Sequence, residues 1–228
     1  MAEEATAPPL GLRERKKRRT RELIAETARR LFAERGFDRV TIAQIARAAE
    51  VAEQTVFNYF PTKEDLIYFP SKADRIHWRL ESFEEELLAA IRDRPAGLSI
   101  LEALARFERR GLLAEETPDA RRRLEELNRM IAGSPALLRR EREIFDRYTA
   151  SLAQVIAEES DGERDDVEAW VIANALMGVH RALVALTRER ILAGVPSARI
   201  DREVRAEAER AVAALERGLG SLGAARSS

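Results

Sequence analysis

The sequence has no cysteine, only two histidines, and only 6% aromatic residues among its 228 residues. The lack of cysteine excludes disulfides, thiolate metal sites and cysteine nucleophiles. The two histidines, His77 and His180, are far apart in the sequence, so no cluster with metal-ligand spacing is present. We therefore expect neither a metal site nor another cofactor.

Other familiar patterns are missing as well. We find no run of about 18 apolar residues that could span a bilayer, and the stretch after Met1 is too short and proline-containing for a signal peptide. There is no Ser–His–Asp grouping, Gly-rich phosphate loop or dinucleotide fingerprint. These absences predict a cytoplasmic protein that makes no membrane contact. They also argue against an enzyme, and we assign no catalytic residue.

The residues that are abundant favour helices. Ala, Leu, Arg and Glu dominate, with 45% hydrophobic and 35% charged residues overall, and all four are good helix formers. Apolar residues recur at helical spacing, and segments rich in Pro, Gly or Ser interrupt them. We predict an all-α protein, with helices over 18–35, 41–49, 53–60, 63–69, 71–92, 99–113, 119–131, 135–159, 165–192 and 201–219.

Charge is distributed unevenly. Residues 11–63 hold 13 Lys and Arg against 7 Asp and Glu, a net charge of +6, although the whole chain has a formal net charge of −1. The rest of the chain is therefore acidic. A basic N-terminal part on an acidic body suggests that only the N-terminal part meets a polyanion.

Two short helices in this basic part have the pattern of a helix-turn-helix. Thr41 and Gln44 have capping-box spacing at the start of the first, and a turn at 50–52 leads into the second over 53–60. Val56 and Phe60 lie one turn apart and are expected to pack inward. The polar residues left for the outer face, and able to contact base edges or phosphates in a major groove, are Gln54, Thr55, Asn58 and Tyr59.

Phosphate contacts are predicted on either side of this pair of helices. Thr41 lies at one helix start and Lys63 at another, where backbone amides favour an anion. Upstream, a basic arm can reach phosphates or the minor groove, which adds affinity and salt dependence but little sequence information. The arm consists of Arg13, Arg15, Lys16, Lys17, Arg18, Arg19 and Arg21, of which we assign Arg18 and Arg19 to DNA.

Three segments of the basic part resemble the TetR family of bacterial regulators. They are the stretch over 20–37, the segment Thr41-Ile42-Ala43-Gln44-Ile45-Ala46, and the run from Val56 through Pro61-Thr62-Lys63 to Leu66. The resemblance covers about residues 18–68. It implies about nine helices, a homodimer built by the last two long helices, and a cavity in the body whose ligand controls DNA affinity. By position it makes Gln54, Thr55 and Asn58 base readers, and Thr41, Tyr59 and Lys63 phosphate contacts. Members often carry Gly at the position of Glu50 and Tyr at that of Phe57, so we expect a variant turn and a packing or van der Waals role for Phe57.

The body offers candidates for both of its implied tasks. A stripe on the helix over 165–192 is the candidate dimer surface, with Ala169, Ala173, Leu176, His180 and Leu183. Packing of this helix within one chain would explain the stripe equally well. Bulky residues with polar groups, or near expected helix crossings, are our candidates for the ligand pocket, namely Trp78, Phe107, Tyr148 and Asn174. Their character suggests a small apolar or aromatic effector.

The sequence thus predicts a disordered leader over 1–12, a helix-turn-helix DNA-binding domain over 13–68, a helical ligand-binding and dimerisation domain over 69–219, and a flexible tail over 220–228. Its expected function is that of a nucleoid-associated transcriptional regulator, a ligand-responsive repressor that binds a palindromic operator in double-stranded DNA as a homodimer. Helix 63–69 is the expected link between body and head. The alternatives are an activator of the same fold, an architectural DNA-binding protein without a ligand, and a helical enzyme with a borrowed head.

Overall fold

The computed structural model describes residues 11–69, 75–108, 118–159 and 166–219, with the side chains of 75–83, 118–120, 166 and 219 outside that description. Over these ranges the chain forms ten α-helices and one 3-10 turn, and they contain no strand. The predicted all-α fold, with an N-terminal helix-turn-helix followed by a larger helical part, is confirmed. The chain divides into two compact units, Met1–Ala73 and Asp74–Ser228.

The first unit surrounds a core to which nearly every one of its helices contributes. Its elements are α1 (Leu12–Arg35), the 3-10 turn (Phe37–Arg39), α2 (Ile42–Ala48), α3 (Glu53–Tyr59) and α4 (Asp65–Tyr68). Apolar side chains from each α-helix are almost fully buried, among them Ile24, Phe32, Ile45, Val56 and Leu66. Burial of this kind is the main favourable term in folding, and it holds α2 and α4 against α1 and α3 against α2.

Helix α1 begins at Leu12, six residues before the predicted start at residue 18. The predicted leader over 1–12 is therefore wrong for Leu12, while residues 1–10 lie outside the described residues. The basic arm is helical because Arg, Lys and Glu are good helix formers and no Pro or Gly lies between Gly11 and Gly36. Leu23 is 49% exposed and therefore lies outside the core of this unit.

The second unit consists of six helices. They are α5 (Arg75–Arg92), α6 (Ile100–Glu108), α7 (Pro118–Gly133), α8 (Pro135–Glu159), α9 (Asp166–Leu192) and α10 (Ser197–Leu219). Helix α8 has the predicted bounds, because a proline at its first position marks its start. Helix α10 begins four residues before its predicted start, directly after Pro196. Two predicted segments lie outside the described residues. They are the end of the predicted helix over 99–113, which falls in 109–117, and the tail over 220–228.

Helix α9 is the central helix of this unit and packs against α6, α7, α8 and α10. Its buried face is the one that the sequence reading assigned to a dimer: Ala169, Ala173, Leu176, His180 and Leu183 are each at most 3% exposed. That assignment is wrong, because these residues pack within the chain. The opposite face of α9 carries the exposed uncharged residues Val167, Trp170, Val171, Asn174, Gly178, Ala182 and Ala185, with Arg181 among them, paired with Asp146 at 2.8 Å.

Helix α9 also bears on the prediction that no apolar segment is long enough to span a bilayer. Segment Val167–Leu192 is long and apolar enough to cross a bilayer, with a mean hydropathy of 1.5. However, 44% of that window is buried inside the fold. A central helix that packs against four neighbours needs apolar residues on most of its circumference, so we interpret α9 as a core helix.

Candidate nucleic-acid interface

The start of α2 has the capping box that the sequence predicts. The amide of Gln44 donates to Oγ1 of Thr41 at 3.3 Å, and the amide of Thr41 donates to Oε1 of Gln44 at 3.0 Å. These two bonds satisfy amides that would otherwise lack a partner at the helix start. Thr41 is exposed, as a phosphate contact requires.

The turn between α2 and α3 contains Glu50 in a left-handed conformation, with φ +55°. The amide of Val51 donates to the carbonyl of Ala46 at 2.9 Å, and that of Glu50 donates to the carbonyl of Arg47 at 3.3 Å. This is the Schellman pattern that usually carries glycine at the left-handed position. The expected variant turn is therefore wrong. The usual turn forms, and Glu50 accepts a conformation that costs an L-residue about 1–2 kcal/mol.

Helix α3 separates its two faces as predicted. Val56 and Phe60 are 0% and 1% exposed and fix the helix on the core. Gln54 and Asn58 are exposed, and Nε2 of Gln54 donates to Oδ1 of Asn58 at 3.1 Å. The two amide groups therefore form one polar surface along a single turn of the helix.

Three further side chains complete the outer part of α3. Thr55 and Tyr59 are half-buried at its sides. Phe57 is 44% exposed, so the packing role that the sequence suggested for it does not describe the isolated unit. An exposed phenyl ring beside two amides offers an apolar surface to a thymine methyl group, the kind of contact by which proteins recognise thymine in the major groove.

Lys63 is held by the protein itself. Its Nζ donates to the carbonyls of Phe37 at 3.0 Å and Val40 at 3.2 Å, and lies 4.1 Å from the centre of the Phe37 ring. Next to it, Thr62 and Asp65 exchange two hydrogen bonds at the start of α4, of 3.0 and 3.3 Å. The sequence signals capping here, but it carried no signal for the long-range lysine contacts.

The basic residues of α1 point in different directions. Arg19 is exposed, and Arg18 is paired with Glu22 at 3.7 Å on the surface. Arg21 instead lies over the ring of Phe69, 4.1 Å from its centre, and Nη1 of Arg29 donates to the carbonyl of Phe69 at 3.0 Å. Sequence reasoning counted Arg21 in the DNA arm, whereas the fold uses it to hold the end of α4 on α1.

The predicted pocket residues of the body do not form one group. Phe107 and Tyr148 are buried, at 6% and 4% exposure. Asn174 is exposed and its Nδ2 donates to the carbonyl of Trp170 at 2.8 Å, so its assignment to an interior pocket is wrong. The side chain of Trp78 lies outside the described part of the structure.

Sequence reasoning missed a buried polar pair in the body. Nδ1 of His180 lies 2.9 Å from Oε1 of Glu108, and the two side chains are 3% and 5% exposed. The ring of Phe145 meets that of His180 edge to face, with centres 5.5 Å apart. The partners are 72 residues apart in sequence, so neither periodicity nor motif spacing could have brought them together.

A second polar group lies elsewhere along α9. Arg188 forms a bidentate ion pair with Glu141, and the two side chains are 14% and 15% exposed. Nε of Arg188 also donates to Oδ1 of Asn128 at 3.3 Å. Groups of three or more potential metal ligands are not found among the residues that the structure describes. The body therefore combines aromatic side chains with a few buried, mutually bonded polar groups.

Comparison with known proteins supports the assignment of the N-terminal unit. Residues 24–67 match the family "Bacterial regulatory proteins, tetR family". TcmR of Streptomyces glaucescens, an HTH-type transcriptional regulator, is 38% identical over 95 residues, which are 42% of this chain and 38% of that protein. The match to TcmR thus covers less than two thirds of its length.

Two other comparisons extend into the body. MftR of Mycobacterium tuberculosis, a mycofactocin biosynthesis transcriptional regulator, is 27% identical over 158 residues, covering 68% of this chain and 73% of that protein. A TetR-family transcriptional regulator from Mesorhizobium loti has the same fold, with a TM-score of 0.53 at 20% identity over 89% of this chain and 98% of that one. Helices α2 and α3 lie within the matched residues 24–67. Residues 24–67 therefore form a domain of the tetR family of bacterial regulatory proteins.

Proposed function

We propose that the protein is a sequence-specific DNA-binding transcriptional regulator, and more specifically a ligand-responsive repressor that binds a palindromic operator as a homodimer. The observation that carries this proposal is the two-faced α3. Its apolar face is fully buried, while its outer face presents the bonded amides of Gln54 and Asn58. In a helix-turn-helix, such a face enters the major groove.

Each exposed group has a task in this proposal. The amides of Gln54 and Asn58 pair with adenine, and Thr55 contacts a thymine methyl. Arg18, Arg19, Thr41 and Tyr59 lie close to phosphates and fix the register of the protein on the duplex. Base contacts then provide specificity, whereas the basic N-terminal part provides most of the affinity and its salt dependence.

The exposed face of α9 is the proposed dimer surface. Val167, Trp170 and Val171 are 69%, 44% and 49% exposed, which is unusual for large apolar side chains. Further along the same face, Gly178, Ala182 and Ala185 are small and allow a second helix to come close. A mostly apolar stripe on a charged protein, with a single arginine that is already paired with Asp146, is typical of an interface between subunits. A second copy of the chain covers it in a two-fold arrangement.

The effector site is proposed in the body near Phe107, Tyr148 and the Glu108–His180 pair. Aromatic side chains supply apolar area, and a few placed polar groups fix orientation, as in other small-molecule sites. The effector that fits is a small apolar or aromatic molecule with one polar group. We infer no metal, no cofactor and no catalytic activity for this site.

The proposed switch needs two dimer geometries. In one of them the recognition helices are about 34–36 Å apart and fit successive major grooves. The effector binds the other geometry more tightly, and this difference in affinity is the only source of the switch. The protein acts in the cytoplasm, on nucleoid DNA.

The test is a salt-titrated binding assay with the purified protein. One duplex is the intergenic DNA upstream of its own gene, and the other is a scrambled duplex of equal length and composition. The proposal predicts tighter binding to the upstream DNA at every salt concentration. Equal binding to the two duplexes, followed by failure to select any consensus from a random library, would leave an architectural DNA-binding protein and overturn the proposal.

A further inference from the structure

We propose that Lys63 positions the helix-turn-helix for DNA reading through contacts inside the protein, and does not serve as a phosphate contact. This inference rests on the proposed function and deepens it, because it assigns to Lys63 a role different from the one that its place in the sequence indicates. Three contacts of one ammonium group carry it. Nζ donates to the carbonyls of Phe37 and Val40, and it lies 4.1 Å from the centre of the Phe37 ring.

These contacts join the two ends of the DNA-reading segment. Phe37 and Val40 come directly before α2, and Lys63 comes shortly after α3. The bonds span 26 and 23 residues, so they close the chain around the whole of α2 and α3. Thr41, the cap of α2, directly follows one of the two carbonyls. Lys63 therefore holds the start of α2 at a fixed position relative to the end of α3.

The anchor of the ammonium group is rigid. Phe37 is 3% exposed, and its ring packs on that of Phe32 with centres 5.0 Å apart. Phe32 is itself 1% exposed in the core of the unit. A bond from an ammonium to a carbonyl is charge-assisted, and the ring face adds a cation–π attraction. An ammonium has three donors, and two of them are already used.

The two roles predict different salt dependences. A lysine that neutralises a phosphate contributes about 0.9 to the slope of log K against log salt concentration, and its removal lowers the slope by that amount. A positioning lysine contributes nothing to the slope. Its loss lets the recognition helix shift against the base edges, so it lowers the affinity for the specific sequence.

The first experiment uses Lys63→Met, which keeps an apolar stem over the Phe37 ring, and Arg19→Met as the matched control. The probes are a duplex that the wild-type protein selects from a random library, and a scrambled duplex, at a temperature where circular dichroism shows each variant to be folded. For Lys63→Met we expect about a tenfold loss on the selected duplex, of the order of one lost base contact, with an unchanged slope. Arg19→Met is expected to lower the slope and to weaken binding to both duplexes alike. A lower slope for Lys63→Met, or unchanged affinity, would overturn the inference.

A second measurement needs no DNA. Hydrogen exchange of the free full-length protein reports how firmly α2 and α3 are held. Lys63→Met is expected to speed exchange over 41–60, including the amides of Val56 and Phe60, relative to the core of α1, and Arg19→Met is not. Unchanged exchange over 41–60 would overturn the inference. If the wild-type protein selects no sequence, the proposed function fails, whereas the exchange result still decides whether Lys63 holds this segment.

Discussion

Nδ1 of His180 lies 2.9 Å from Oε1 of Glu108, and this pair joins α9 to α6 in the interior of the second unit. Both side chains are more than nine-tenths buried. Burying ionisable groups is costly, and well-packed apolar side chains of similar volume often serve stability equally well. The pair is therefore a candidate for function, in accordance with the proposed effector site.

The first prediction concerns this pair. His180→Ala leaves the carboxylate of Glu108 buried without the imidazole, so we expect a loss of about 3–5 kcal/mol in the free energy of unfolding. The double change Glu108→Leu with His180→Phe removes both polar groups and is expected to cost much less. Urea denaturation of the three proteins measures both quantities. A double variant that loses as much stability as His180→Ala, or more, would show that the two residues do not act as a pair.

The second prediction concerns the turn before α3. Glu50→Gly removes the cost of placing an L-residue in the left-handed conformation at φ +55°. This gain is expected to exceed the stability lost because glycine is more flexible in the unfolded chain. We expect the free energy of unfolding to rise by up to about 1 kcal/mol. Glu53→Gly, at an exposed helical position three residues later, is the matched control and is expected to destabilise. If urea denaturation showed equal destabilisation by both changes, the strain would not exist.

The third prediction concerns pH. Two hydrogen bonds from the amide and hydroxyl of Ser99, with the nearby Arg106, lower the pKa of Glu102 at the start of α6. Because the folded pKa is lowered, the stabilising effect is fully present above the ordinary glutamate pKa of about 4.3 and is lost as the pH falls through the folded value. Glu102→Gln is therefore expected to destabilise at pH 7, and the difference from wild type is expected to vanish in strong acid.

Its control is Glu126→Gln, at an exposed position in the middle of α7. Urea midpoints for the wild type and the two variants, measured from pH 7 down to pH 2.5, follow the effect. A difference between Glu102→Gln and wild type that stays constant with pH would contradict the assigned cause.

The fourth prediction concerns the exposed face of α9. Ala182→Glu places a carboxylate in the middle of the proposed interface, where it would be buried without a partner in each subunit. We expect sedimentation velocity to show a monomer at concentrations where the wild type is a dimer. Ala150→Glu, which adds the same charge at an exposed position of α8, is expected to leave the dimer intact. A dimer that tolerates Ala182→Glu would place the interface elsewhere, and a wild-type monomer would contradict the proposed dimer.

The sequence predicted those features that depend on nearby residues. The capping box of Thr41 and Gln44, the buried positions of α3 and the bounds of α8 all follow from spacing, proline and capping chemistry within a few residues. The start of α1 was predicted too late, because a run of basic residues was interpreted as an arm although its helix propensity is high.

Features that depend on long-range packing could not be predicted in this way. Helix α9 is apolar on both faces, so periodicity does not tell which face meets the rest of the chain, and the dimer stripe was placed on the wrong one. The contacts of Lys63 with Phe37 and of His180 with Glu108 join distant parts of the sequence. Asn174 was assigned to a pocket for its chemistry alone, but it lies on the outer face of α9.

The central claim is that α3 reads base sequence through Gln54 and Asn58. The most direct test compares the wild type with the double variant Gln54→Ala/Asn58→Ala on the upstream DNA and on the scrambled duplex, at one fixed salt concentration. Each lost base contact costs about 1–3 kcal/mol, so we predict at least a tenfold loss on the upstream DNA and little change on the scrambled duplex. Arg19→Met, as control, is expected to weaken binding to both equally. An equal loss on the two duplexes for the double variant would contradict the claim.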